Sequence, residues 1–105
     1  MAYVLRFTQV YKPAHQREFL ALESKFQKLE RRSKTLPKGR RLQPVAGGEP
    51  THSLIWECEF ASLDAIQQAL RDFADDQTHT KLFEKQAPLI EQIRTEIFEV
   101  LYLSS

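Results

Sequence analysis

Apolar residues recur along this chain with two different periods, and each period predicts its own kind of element. Where the period is two, strands are expected. In Leu54-Ile55-Trp56-Glu57-Cys58-Glu59-Phe60, alternation sets Leu54, Trp56, Cys58 and Phe60 on one face and Ile55, Glu57 and Glu59 on the other. Residues 3–10 divide likewise into Tyr3, Leu5 and Phe7 against Val4, Arg6, Thr8 and Val10. Residues 95–103 predict a last strand, with Phe98, Val100 and Tyr102 on one face and Ile97, Glu99, Leu101 and Leu103 on the other. Arg40 to Ala46 predicts a further strand, placed at a sheet edge by Pro44. Gly47-Gly48-Glu49-Pro50 then joins it to the central strand as a hairpin.

Where the period lengthens to that of a helix, Phe19, Leu22, Phe26 and Leu29 form one stripe within a helix predicted from Pro13 to about Ser33. Glu18, Glu23, Lys25, Lys28 and Glu30 are read as lying largely off that stripe. Ser62 is the expected N-cap of a second helix, with Leu63, Ile66, Leu70 and Phe73 repeating the same apolar stripe. Asp75-Asp76-Gln77 breaks the pattern, and Thr78 or Thr80 is expected to cap a further helix. Leu82, Phe83, Ile90 and Ile93 are expected to pack inward there, with a kink or break near Ala87 imposed by Pro88.

The order strand, helix, strand, strand, helices, strand predicts an α+β, ferredoxin-like (split βαβ) fold as a single domain over 1–105. Its four-stranded antiparallel sheet carries the helices on one face. The last strand is apolar on both sides, so the face turned away from the helices stays too apolar for water. A second copy of the chain, sheet against sheet, is the expected cover, giving a homodimeric barrel whose interface buries about 1,600 Å² or more.

Composition adds mainly exclusions. A net charge of +1 over 105 residues gives no global field to steer the protein toward nucleic acid or a membrane surface. No apolar run approaches the ~18 residues of a transmembrane helix, and no secretory leader is recognisable. The single cysteine, Cys58, rules out an internal disulfide and predicts a reducing, cytoplasmic setting. CxxC, HExxH, GxGxxG, Walker and GxSxG patterns are absent, so neither a metal nor a cofactor is expected.

The strand Leu54–Phe60, the helix opening Ser62-Leu63-Asp64-Ala65, the segment Thr78-His79-Thr80-Lys81-Leu82-Phe83 and the terminal strand together resemble the dimeric α+β barrel superfamily. That group includes antibiotic-biosynthesis monooxygenase-like, NIPSNAP-like and stress-responsive barrel proteins. The resemblance implies a strand tryptophan before the second helix and a histidine some twenty residues later, which Trp56 and His79 match. It implies a pocket between helices and sheet lined by that histidine, in a group where some members oxidise substrates without a prosthetic group. In the haem-degrading branch the histidine resembles the iron ligand, accompanied by a first-strand asparagine and a second-helix tryptophan. This chain has Gln9 or Thr8 near the former position and no tryptophan in that helix.

Four groups of residues are candidates for chemistry. His79 is the candidate catalytic group, or else a histidine that only packs near a helix start. Trp56, Phe60, Phe73 and Phe83 form an aromatic pocket for an apolar small molecule, or simply the core. Arg6, Glu57, Glu59 and Glu99 are expected to meet on the far face, inside the barrel, as a general acid or base with a raised carboxylate pKa, or as an ion network fixing dimer register. The basic residues Arg31, Arg32, Lys34, Lys38, Arg40 and Arg41 are read as a solvated helix end and loop, since no aromatic residue interleaves with them.

Overall fold

Tyr3, Leu5 and Phe7 do share one face, and they sit at the centre of the sheet. A computed structural model describes residues 1–104 of the chain. Strand β1 (Ala2–Tyr11) pairs antiparallel with both β3 (Ser53–Phe60) and β4 (Ile90–Val100), and β2 (Arg40–Leu42) adds to the far side of β3. The order β2-β3-β1-β4 is that of the ferredoxin-like fold.

Helix α1 (Gln16–Arg32) begins after a 3-10 turn that starts at Pro13, and helix α2 (Leu63–Asp75) starts where Ser62 Oγ accepts from the Ala65 N–H at 3.1 Å. Helix α3 (Gln77–Gln86) is capped by Asp76, whose Oδ1 accepts from the His79 N–H at 2.8 Å, rather than by Thr78 or Thr80. Asp76 stands at the N-cap position, where its charged side chain reaches the free N–H groups of the first turn.

Pro88 ends α3 in a 3-10 turn over Ala87–Leu89, so the break expected near Ala87 is real. Beyond that turn the chain runs as strand, not helix. Strand β4 begins at Ile90 because β1 offers it a ladder from Tyr11 back to Ala2. It ends at Val100 for the same reason, since Ala2 is its last partner; Leu101, Tyr102 and Leu103 run on past the sheet, exposed. The predicted strand 95–103 is therefore displaced toward its N-terminal side. Strand β2 is also shorter than predicted, for pairing with β3 stops at Leu42, before Pro44.

The helices cover the face that carries Leu5 and Trp56. Leu5, Trp56 and Ile66 form one buried cluster, and Tyr11, Phe19, Leu22, Leu54 and Leu89 another, with the Tyr11 and Phe19 rings stacked at 4.5 Å. Phe7 and Gln9, the helix-facing residues of β1 between Leu5 and Tyr11, belong to neither cluster's buried centre. They border a void.

Candidate functional site

On α3, His79, Phe83 and Gln86 fall at i, i+4 and i+7, a single stripe. That stripe faces the sheet across a cavity of about 240 Å³, which all three residues line. The volume exceeds the roughly 150 Å³ of an apolar cavity that admits benzene and falls below the ~300 Å³ typical of drug-sized sites. Its walls are aromatic: Phe7 and Phe26 join Trp56, Phe73 and Phe83. Phe7 stacks on Trp56 at 5.3 Å, and Phe73 meets the edge of Trp56 at 5.7 Å, so these walls brace one another. Exposed Leu70, Ile93 and Thr95 also line it, and they mark its mouth on the β4 side.

His79 is positioned twice over. Its backbone is fixed by the Asp76 cap, and its ring lies 4.9 Å from the centres of both Phe26 and Phe73. Burial lowers its pKa from the ordinary imidazole value, against the smaller opposing pull of Asp76 and Glu30. The imidazole is thus neutral at pH 7 and keeps a lone pair to offer.

The opposite end of the cavity is polar. Glu23, Glu30 and Gln86 are buried there, and Arg41 enters from β2 with a side chain only 12% exposed. Arg41 Nε donates to Glu23 Oε2 at 2.6 Å, while Nη1 and Nη2 donate to the two oxygens of Glu30 at 3.1 and 2.5 Å. Trp56 Nε1 and the Gly39 N–H also donate to Glu30 Oε1, at 3.2 and 3.3 Å, and Gln86 Nε2 donates to Glu23 Oε1 at 2.9 Å. Burial opposes the Arg41 charge, but the hydrogen bonds and charges of Glu30 and Glu23 outweigh it and raise its pKa. Gly39 is needed for a steric reason: a Cβ there would lie 2.0 Å from Trp56 Cε2.

Of the predicted pocket residues, Trp56, Phe73 and Phe83 border the cavity. Phe60 does not; at the end of β3, opposite Tyr3, it packs on the cluster around Leu5 and Ile66 instead. The polar end was missed because Glu23 and Glu30 were placed off the helical stripe. Each stands four residues after a buried phenylalanine, Phe19 or Phe26, and that spacing was the available signal. Arg41 likewise stands in a basic run that reads as solvated, although its alternation with Leu42 puts it on one definite face of a strand.

The far-face set also changes. Arg6 and Glu57 are cross-strand partners joined at 3.0 Å, and Glu59 shares their face but is exposed. Glu99 does not, because β4 pairs it with Tyr3 on the helix side; Glu96 stands opposite Arg6 instead. Arg40, opposite Glu57 from β2, adds a second guanidinium at 2.5 Å. The Arg40 hydrogen bond first, and then Arg6, hold the Glu57 carboxyl below its usual range despite burial, so the raised carboxylate expected there is corrected to a lowered one. Arg6 also lies 4.7 Å over the Phe98 ring. Cys58 is half-buried, and burial, reinforced by Glu30, pushes its thiol pKa up.

No protein-family model matches this chain, and no curated protein does. Solved structures do. A NIPSNAP family protein from Agrobacterium tumefaciens superposes with a TM-score of 0.80 at 19% identity, over 99% of this chain and 97% of that one. An antibiotic-biosynthesis-monooxygenase-like protein from Deinococcus radiodurans gives 0.68 at 10% identity, over 98% and 96%. A cofactor-independent oxygenase from Streptomyces nogalater gives 0.65 at 12% identity, over 97% and 95%. Over nearly its whole length, then, this chain has the α+β fold shared by NIPSNAP family proteins and antibiotic-biosynthesis-monooxygenase-like proteins.

Proposed function

We propose that this protein binds a small, flat aromatic molecule in the cavity between helices and sheet and acts on it as a cofactor-independent oxygenase, with His79 as the base. The observation that carries this reading is the void itself. A chain whose aromatic residues served only as core would fill the space beside His79, whereas here five aromatic side chains line an open cavity. The imidazole then accepts a proton from an acidic methylene or phenol of the bound molecule. The electron-rich anion that results can reduce O2 directly; for a methylene the balance is CH2 + O2 → C=O + H2O. The fold-level neighbour that is a cofactor-independent oxygenase supports this chemistry over hydrolysis.

Thermal melting against a panel of quinones, flavins, haem and polyphenols tests the binding. A ligand at 100 times its Kd adds about 2.7 kcal/mol to wild type. Leu70→Trp, which fills the mouth from an exposed position, abolishes that gain. Oxygen consumption with the ligand so found then falls roughly 10²- to 10⁴-fold in His79→Ala while binding persists. Binding without oxygen uptake in wild type would leave a non-catalytic ligand-binding or stress-related module, and no binding at all would remove both readings.

A homodimer belongs to this proposal. The far face carries Val4, Ile55, Val100 and Phe98, the last 39% exposed, around the Arg6–Glu57–Arg40 group. A second copy laid on that face would cover the apolar residues and enclose the ion pairs. Sedimentation equilibrium checks it: the expected mass is twice that of the chain, and a monomer at micromolar concentration contradicts it.

A further inference from the structure

Three buried side-chain oxygens lack a hydrogen-bond partner among the described residues: Glu49 Oε2, Ser53 Oγ and Gln86 Oε1. Of these residues only Gln86 lines the cavity. Gln86 is fully buried, and its amide orientation is pinned, since its Nε2 donates to Glu23 Oε1 and the reverse orientation would set a carbonyl against a carboxylate. A buried acceptor without a donor costs about 1–3 kcal/mol, so the site favours whatever brings one.

No described residue donates to Gln86 Oε1. Three of the five N–H groups of Arg41 are spent on carboxylates, and the Trp56 indole N–H and Gly39 N–H are both turned on Glu30. One guanidinium between Glu23 and Glu30 leaves this end of the cavity rich in acceptors and one negative charge in excess. A carboxylate or other anion is repelled here. A hydroxyl finds an acceptor.

We propose that the cavity selects aromatic molecules bearing a hydroxyl, and that this hydroxyl donates its hydrogen bond to Gln86 Oε1 while the rings lie against Phe83 and Trp56. The inference rests on the cavity being an aromatic-ligand site. His79 and Gln86 are seven residues apart on α3, about 10 Å along the helix axis. A molecule of two fused rings anchored at Gln86 therefore presents its other end toward the imidazole.

Calorimetric titration of the full chain with naphthol, methoxynaphthalene and naphthoate tests this. The expected result is naphthol binding about 10-fold more tightly than the methyl ether, with naphthoate weaker than both. In Gln86→Met, naphthol and its ether bind alike. Equal affinities in wild type would overturn the inference, as happens if a buried water serves Gln86, while leaving the aromatic site standing. A naphthol preference that persists in Gln86→Met would assign the acceptor to another group of the cavity and also overturn it. Failure of both naphthol and its ether to bind would remove the underlying site. Should Gln86→Met not fold, the wild-type contrast decides alone, joined by the side-chain amide signal of Gln86, which is expected to shift with naphthol and not with the ether.

Discussion

The two faces of the sheet each hold an arginine–carboxylate group, and the two groups are built in opposite proportion. On the helix side one arginine, Arg41, bridges two carboxylates beside an aromatic cavity, and every partner is buried or nearly so. On the far side two arginines, Arg6 and Arg40, flank one carboxylate, and those arginine side chains are 36% and 71% exposed. Burial decides what each does. Exposed pairs contribute little and tolerate loss, while a buried group is strongly destabilised if one member is removed. The helix-side group therefore fixes the geometry of a site, and the far-side group fits a surface that another copy is expected to cover.

The sharpest way to break this contrast is Arg41→Met. It leaves Glu23 and Glu30 buried without their cation and should cost about 3–5 kcal/mol, lowering Tm by at least ~10 °C. Urea denaturation measures it, and a cost below ~1 kcal/mol would equate the two groups. Next comes Gly39→Ala, which forces the Trp56 indole from its place against Glu30 and should cost about 1–3 kcal/mol. Near-ultraviolet dichroism should register the displaced indole.

How far was this arrangement legible in the chain? The period-two and helical patterns located β1, β3, α1 and α2, because each carries one plainly apolar face. They misplaced β4. Its helix-side residues Ile93 and Thr95 border a void rather than a packed core, so its alternation is not one of buried against exposed, and only pairing with β1 defines its ends. The aromatic half of the site was readable for the same reason the core was. The polar half was not, since Glu23, Glu30 and Arg41 look like solvated charges until the fold brings them within bonding distance across 18 and 11 residues. Parity within a strand also misjudged Glu99, whose face depends on register with a neighbour rather than on its own sequence.

Smaller effects sharpen the comparison further. His79 has a lowered pKa in the folded protein, so the unfolded chain binds the extra proton first. Its contribution to stability is full above about pH 6.5 and is lost as pH falls from there through the folded value. His79→Gln should flatten that part of the stability–pH profile. Glu57, also lowered, behaves as a carboxylate does: its contribution is present above the unfolded pKa of about 4.5 and is lost as pH falls through the folded value. The smallest effect belongs to Arg6→Met, which in dilute, monomeric protein should cost under about 1 kcal/mol and less still in high salt. A cost equal to that of Arg41→Met would contradict the distinction between the faces.

The most direct test of the cavity as a working site is nuclear magnetic resonance of the His79 ring and the α3 amides during titration with naphthol. Saturable shifts are expected at His79, Phe83 and Gln86, with those of Arg6, Glu57 and Phe98 unmoved. Shifts confined to the far face, or none at all, would contradict it.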